Sequence, residues 1–448
     1  MTVPAGISHL DGVTGAVGGK EFSPALIMDV ELAGQLPALS WDGQHNRVLV
    51  TALLHTEPLG VCVVPLGRQG LTPDTLSALL WAEFGGPVRE RFAAAGLAVP
   101  DSLTRDGLEA DPRAWPFLRR RQAVLATAPF ISVVLCTRDR PQQLETCLHY
   151  LARQDYPQFE VVVVDNAPTT GGVRALVNGG YGRTPFRYVL EPRAGLSWAR
   201  NTGAAATSGE IIAYLDDDEE PDRYWLAGLA CGFARGDDIG CVSGMVLPAR
   251  LDTATQELFE QLGGHRHGRG FSSAIFSRDG PQNPLCPLPP FGVGANMAFR
   301  REVLARIGGF DVALGVGTPT FAGEDTLALT MLLLAGYRIA YEPAALVRHH
   351  HRGDLDSLAD QLRGYGVGLT AYYTALMRHR PRLLFELLQL APTAVGYLRR
   401  TNSADTTARN LPTGLRRRHR RGMLTGPAAY LRSMRRQARA VASVGRQA

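Results

Sequence analysis

Between Phe130 and Asp216 four apolar runs of strand length alternate with segments of helical pattern. The runs are FISVVLC (130–136), FEVVVVD (159–165), FRYVLE (186–191) and EIIAYLD (210–216); PQQLETCLHYLARQ is one of the segments between them. They are continuously apolar rather than alternating, which predicts strands buried on both faces, the pattern of a parallel sheet covered by helices. In such sheets ligands bind at the carboxyl ends of the strands. Three of the four runs end there in polar groups: Thr137-Arg138-Asp139-Arg140, Asp165-Asn166 and Asp216 to Asp218.

A chain of 448 residues is too long for one ordinary core. Residues 1–22 are Gly-rich and expected to be mobile. Residues 23–125 read as a small α+β module: Arg47 to Leu54 and Val61 to Leu66 form a hairpin across HTEPLG, and Thr72-Pro73 has the form of an N-cap and first helical residue. Residues 126–355 are the α/β domain, and 356–448 a helical, Arg-rich region. From Arg399 onward there are 13 Arg and one acid, a net +12; with the whole chain at +5, residues 1–398 sum to −7. Lys20 is the only lysine, so a single Arg carries less functional information than usual. The six cysteines form no CxxC pair, which argues against structural zinc and a disulfide framework. The most apolar window, Leu383 to Leu398, contains Glu386 and Pro392 and is too short to cross a bilayer. With neither a basic start nor an apolar stretch at the N-terminus, a cytoplasmic location is expected.

The run YLDDDEEPD carries five consecutive carboxylates, Asp216 to Glu220, directly after a buried strand. Packed carboxylates raise one another's pKa unless a cation or solvent relieves them. An EF-hand reading fails, since counting from Asp216 puts Pro221 at the sixth position and Ala227 at the twelfth. A Walker A loop is excluded because the only lysine lacks its spacing, and GVGTPT and GVGANM each miss the third glycine of a dinucleotide fingerprint. Two readings stay open: a solvated acidic turn, or a DxD pair of hard oxygens for Mg²⁺ or Mn²⁺ bridging a diphosphate.

The run ISVVLCTRDRPQQLETCLHYLARQDYPQFEVVVVDNAP closely resembles the opening of family 2 glycosyltransferases of the GT-A fold. RAGLSWARNTGAAATSGEIIAYLDDDEEPD, GVGANMAFRREVLARIGGFD, FAGEDTLALTMLLLAGYRIAYEP and VRHHHR continue the resemblance in family order, over roughly residues 130–355. It implies a GT-A α/β fold, a mostly parallel sheet flanked by helices, and an inverting transfer of sugar from a nucleoside-diphosphate donor. Thr137, Arg138 and Asp165 are then base-binding; Arg200 and Asn201, in the element that closes over the donor, could reach it. The resemblance assigns Asp216 to the ribose or the metal's water shell and Asp218 to direct metal contact, with Asp217 able to serve either way. Glu219 and Glu220 are expected to be solvated. Asp325 is implied as the base that takes the acceptor hydroxyl's proton and Glu324 as a contact to an acceptor hydroxyl; their rival explanation is favourable charge at a helix N-terminus. His349, and next His351, are implied as metal or diphosphate ligands, and strand alternation puts these two on one side. Loops Gly263 to Gly280 and Gly315 to Gly323 are candidate lids or ordinary connections.

The acceptor class implied is a glycan or a lipid-linked sugar. The C-terminal helices, with Tyr430, Leu431 and Met434 among the arginines, read as a peripheral contact with the inner, anionic face of a membrane, as a solvated tail, or as arginines covering an acidic groove of the same protein. Nucleic acid is not an expected partner, because the body is net negative and lacks a nucleic-acid motif. The competing functions are a non-catalytic nucleotide-sugar or glycan-binding relative and a sugar nucleotidyltransferase; the latter would carry a Gly/Arg/Lys-rich loop where this chain has TRDRPQQ.

Overall fold

The computed structural model describes residues 22–181, 185–266, 268–285, 291–390 and 413–444. The Gly-rich start up to residue 21, Cys286 and residues 391–412 lie outside these. The chain divides into two compact units.

The first unit comprises residues 1–127, 247–273 and 348–354. Its three-stranded sheet runs β1 (Ala25–Glu31), β2 (Arg47–Leu54) and β3 (Glu57–Pro65), with β1 and β2 parallel and β2 and β3 antiparallel. The hairpin is tighter than the expected HTEPLG turn. Only His55 and Thr56 connect the strands, both at positive φ, 49° and 66°, and the Glu31 carboxylate accepts both of their amide hydrogens. That satisfaction lets a two-residue turn form without glycine. Helix α1 (Pro73–Ala94) starts where Thr72-Pro73 predicts, with the Thr72 hydroxyl accepting from the Thr75 amide at 3.2 Å. Leu76, Leu80, Phe84, Val88 and Phe92 face Val48, Val50 and Trp115 in one core. A second helix, α2, spans Pro116–Ala126.

The second unit comprises residues 128–246, 274–347 and 355–448. Its parallel strands are β4 (Ile131–Thr137), β5 (Phe159–Asn166), β6 (Phe186–Glu191) and β7 (Ile211–Asp216), the four runs read from sequence. Between them lie α3 (Pro141–Leu151), α4 (Gly172–Gly180) and α5 (Leu196–Ala206). Every residue of β4 is buried, as are Val161 to Val164 of β5; burying each such side chain contributes about 1.5–3 kcal/mol.

The sheet then changes character. After β8 (Glu219–Pro221) and α6 (Trp225–Phe233) come β9 (Ile239–Pro248), α7 (Ala254–Gln261), β10 (Ala274–Phe276), β11 (Asn296–Arg300), α8 (Arg301–Arg306), α9 (Glu324–Leu334) and β12 (Arg338–His349). The order is β10-β12-β9-β11-β7-β4-β5-β6, with β8 beside β12; β11 is antiparallel to both β7 and β9. The fold is thus a mixed α/β sheet flanked by helices, parallel in the half that the apolar runs announce. Asn296 locks the junction. It accepts from Trp225 Nε1 at 2.9 Å and donates to the carbonyls of Met245 and Ala345, so a buried amide is fully used.

Helices α10 (Leu355–His379), α11 (Leu384–Gln389) and α12 (Thr413–Val444) complete the unit. α10 and α12 touch backbone to backbone: a Cβ on Gly366 would lie 2.2 Å from the His419 carbonyl oxygen, and one on Gly422 2.4 Å from that of Arg363. Tyr430 is fully buried, donating to Asp311 at 2.7 Å, and Met434 packs against the same core. Of Tyr430, Leu431 and Met434, only Leu431 is exposed; the helix packs the other two against the core of its own unit. Among the described residues no helix is long and apolar enough to cross a membrane.

Candidate active site

Strand register builds the site. Thr137 pairs with Asp165 across β4 and β5, and Cys136 pairs with Asp216 across β4 and β7, so the polar ends of three strands meet at one sheet edge. Asp217 is buried there. Its Oδ2 accepts from the Thr137 hydroxyl at 2.6 Å and its Oδ1 from Arg140 Nη1 at 3.2 Å. The flanking carboxylates are more open: the Asp216 side chain is 33% exposed and that of Asp218 14%, with Asp218 Oδ2 3.6 Å from Arg140. Asp217 is therefore committed to holding the turn, whereas Asp216 and Asp218 present oxygen towards solvent.

Glu219 corrects an expectation. It is buried rather than solvated, and its Oε2 accepts the Asp216 amide at 3.1 Å. Burial pushes its pKa well above the usual carboxylate range, with Asp216 adding to the shift. The direction of that shift eases repulsion within the run of acids. Burial, with Asp218, Asp217 and Asp325 nearby, likewise drives Asp216 up to about 7, against the opposing pull of Arg200.

Arg200 connects the acidic turn to the EDT segment. Although 2% exposed, it donates from Nη1 to Glu324 Oε1 at 2.9 Å and from Nη2 to the Gly294 carbonyl at 3.1 Å, with Asp216 Oδ1 3.6 Å from Nη2. The rings of Phe310 and Tyr214 flank its guanidinium at 5.4 and 5.9 Å. Glu324 is turned inward to this cation, its Oε2 buried without a hydrogen-bond partner, and burial raises it to about 7, helped by Asp325. Gly323, at φ 100°, turns the chain into α9 just before these acids. Asp325 is half-buried. Its Oδ2 accepts the Gly294 amide at 2.7 Å and its Oδ1 that of Thr326, so its orientation is fixed while an edge stays open.

Asp165 has 0% exposure. Its Oδ2 accepts from the Tyr188 hydroxyl at 3.1 Å, and its Oδ1 is buried with no partner. Such an atom costs about 1–3 kcal/mol unless something donates to it. Arg138 is exposed, 3.9 Å from Asp139, while Asp139 accepts the Thr169 and Thr170 amides and so ties the turn after β4 to the turn after β5. Asn201 lies apart: its amide donates to and accepts from the Phe310 main chain at 2.8 and 2.9 Å, which holds that turn behind Arg200. The segment before α5 is clamped, too. Asn166 Oδ1 accepts the Gly195 amide, Glu191 pairs with Arg193 through two oxygens, and Arg193 lies over the Trp198 ring at 3.7 Å.

His349 and His351 do come together, as alternation predicts, with 3.0 Å between their Nδ1 atoms. His265 and Glu260 join them in the first unit. Sequence reasoning missed Arg140, Gly294, Glu260 and His265 as partners of the predicted residues. Arg140 stood in plain view beside Pro141 at a strand end; the other three are brought in by long-range packing that no local pattern marks.

Residues 132–308 match the family model described as Glycosyl transferase family 2. The chain is 31% identical over 229 residues to the succinoglycan biosynthesis protein ExoM of Rhizobium meliloti, an alignment covering 48% of this chain and 65% of that protein. It is 25% identical to the glucosyl-dolichyl phosphate glucuronosyltransferase of Haloferax volcanii, over 49% of this chain and 68% of that one. Among solved structures it is similar to a mannosyltransferase of Pyrobaculum calidifontis in complex with GDP-Man and Mn²⁺: 22% identity, 80% of this chain and 96% of that one, TM-score 0.43.

Proposed function

We propose that the chain transfers a sugar, with inversion, from a nucleoside-diphosphate donor to a glycan or lipid-linked acceptor. The observation that carries this reading is Arg200, buried between Asp216 of the acidic turn and Glu324 of the EDT segment. It makes one electrostatic unit of the two places where donor and acceptor chemistry would meet. A solvated acidic turn has no need of such a cation. The match of residues 132–308 to that family model and the names of the relatives support the same reading.

Asp216 and Asp218 would hold a divalent cation. Both are hard oxygen donors at a partly open edge, raised in pKa or crowded by neighbouring acids that a cation would relieve, which fits Mg²⁺ or Mn²⁺ better than a softer ion. When bound, the ion neutralises charge on the departing diphosphate. The chain's own residues do the rest. Asp165 accepts a base N–H at its unpartnered Oδ1, with Thr137 and exposed Arg138 beside it at the same edge. Arg200 holds Asp216 and Glu324 in place, and Glu324, while turned to that cation, keeps its second oxygen for a hydroxyl of the acceptor. Asp325, oriented by the Gly294 amide, accepts the proton of the attacking hydroxyl.

For a lipid-linked acceptor the place of action would be the inner face of a membrane, met by the outward arginines of α12, among them Arg417, Arg421, Arg432 and Arg435. Arg418, by contrast, lies 3.7–3.9 Å from Asp356 and Asp360 and serves the helix pair.

Purified protein screened against a panel of nucleotide sugars should release diphosphate in a Mn²⁺- or Mg²⁺-dependent way. Asp218→Ala and Asp325→Asn should each abolish release. Donor binding without release in the unmodified chain would instead identify a binding relative, and unchanged turnover in Asp325→Asn would remove the base assignment.

A further inference from the structure

We propose that α11, with the arginines just before it, is the part of the chain that enters the surface of an anionic lipid membrane. This deepens the lipid-linked reading of the acceptor and rests on it for the place of action; it names apolar side chains that insert, whereas the arginines of α12 offer charge alone. Leu384, Phe385 and Leu388 are 49%, 68% and 61% exposed. Large apolar side chains exposed singly are ordinary, but three on one short helix mark an interaction surface.

The helix cannot hide them. Leu383, Leu387 and Leu390 pack into the core that also holds Tyr372, Leu376 and Tyr430. With that side turned inward, the helical repeat carries Leu384 and Leu388, one turn apart, and Phe385 beside them to the outer side. Glu386, the only acid of α11, falls on another flank. The chain ahead of α11 is anchored. The Arg380 amide donates to the Leu376 carbonyl at 2.8 Å and the Leu383 amide to that of Arg380 at 3.0 Å, while His379 Nε2 lies 2.9 Å from Asp311 Oδ2. The three apolar groups are therefore presented from a fixed support.

Charge selects the occupant. Arg380 and Arg382 are exposed immediately before the apolar stripe. α12, packed into the same core through Tyr430 and Met434, has no Asp or Glu over Thr413–Val444. A guanidinium hydrogen-bonds a lipid phosphate while Phe and Leu enter the boundary between headgroups and acyl chains, and α11 offers both kinds of contact side by side. A second copy docked on the same face across a two-fold axis would instead bring the same arginines towards one another. At six residues α11 is far too short to span a bilayer, so its contact lies along the surface.

The test is flotation of the full-length protein with vesicles of phosphatidylcholine alone and of an equimolar mixture with phosphatidylglycerol, without donor or acceptor. The unmodified chain should float with the mixed vesicles and keep part of that binding in high salt, which screens the arginines but not apolar insertion. Phe385→Ser/Leu388→Ser should lower the partition coefficient about tenfold or more. Arg380→Gln/Arg382→Gln should weaken binding to the mixed vesicles and flatten its salt dependence. Circular dichroism checks the fold, and Leu384→Ser serves should the double apolar variant fail to fold. The proposal is overturned if the unmodified chain does not float, or if Phe385→Ser/Leu388→Ser floats as well as the unmodified chain, the arginines of α12 then sufficing. It is overturned equally if sedimentation finds the unmodified chain a dimer and that variant a monomer, the face then belonging to a second copy. Diphosphate release from the nucleotide-sugar panel, measured without vesicles, tests the transfer reading on its own, so the two can fail separately.

Discussion

Arg200 donates from Nη1 to Glu324 Oε1 at 2.9 Å with only 2% of the arginine exposed, a charge pair buried at the centre of the site. Removing one partner of such a pair strands the other, at a cost of about 3–5 kcal/mol. Arg200→Met should therefore lower the stability of the fold by that order in denaturant titration and abolish transfer. Glu324→Gln, which keeps an acceptor oxygen for Nη1, should destabilise far less.

The same glutamate makes a pH signature. Burial and Asp325 raise Glu324 from 4.5 to about 7. Between these values the folded chain holds a proton that the unfolded chain has released, so stability falls as pH rises through the window. In EDTA, the unmodified protein should lose stability from pH 4.5 to 7 more steeply than Glu324→Gln. Parallel curves for the two proteins would show that Glu324 is already ionised at the lower end.

A side chain on Gly294 would crowd the groups around it. A Cβ there would lie 3.0 Å from both Arg200 Nη2 and Asp325 Oδ2, while its amide orients the Asp325 carboxylate. Gly294→Ala should reduce kcat on the order of 10²-fold, the effect of a small misplacement at the reacting groups, with the donor's KM little changed. Steady-state kinetics separate this from a binding defect.

Asp165 predicts the reverse pattern. Filling its unpartnered Oδ1 with a donor's N–H makes a hydrogen bond to a charged group, about 1.5–3 kcal/mol. Asp165→Asn should weaken nucleoside-diphosphate binding by about 10–150-fold in calorimetry, and Tyr188→Phe by much less. Equal affinity in Asp165→Asn would place the base elsewhere.

How much of this was legible beforehand follows from how local each signal is. The strands β4 to β7 announce themselves because a strand covered on both faces must be apolar throughout, and register alone then brings Thr137, Asp165 and Asp216 to one edge. The antiparallel half was not legible: β9 and β11 owe their places to pairings far apart in sequence, such as Met297 with Ser243. Within the acidic turn, residue type identified the cluster but not its division of labour. Only packing reveals that Asp217 binds Thr137 and Arg140, and that Glu219 is buried under the Asp216 amide. Likewise VRHHHR marked two histidines, but the third arrives through the Gly263-Gly264 turn, which in sequence was one glycine pair among 49 glycines.

The contact of α12 with α10 can be tested by bulk. A Cβ on Gly426 would lie 2.0 Å from Thr370 Oγ1 and 2.4 Å from the Val367 carbonyl oxygen. Gly426→Val should overpack this contact by about 1–3 kcal/mol or more and lower the melting temperature, whereas Leu424→Ser, on an 84% exposed side chain, should leave it unchanged.

Where two helices meet main chain on main chain there is no cushion to yield, so the outward guanidinium groups are carried at places that the neighbouring helix fixes. Anything they grip is met at intervals set by the helical pitch instead of by a loose string of charges, and cutting the chain ahead of them takes down a wall of the building along with its fence.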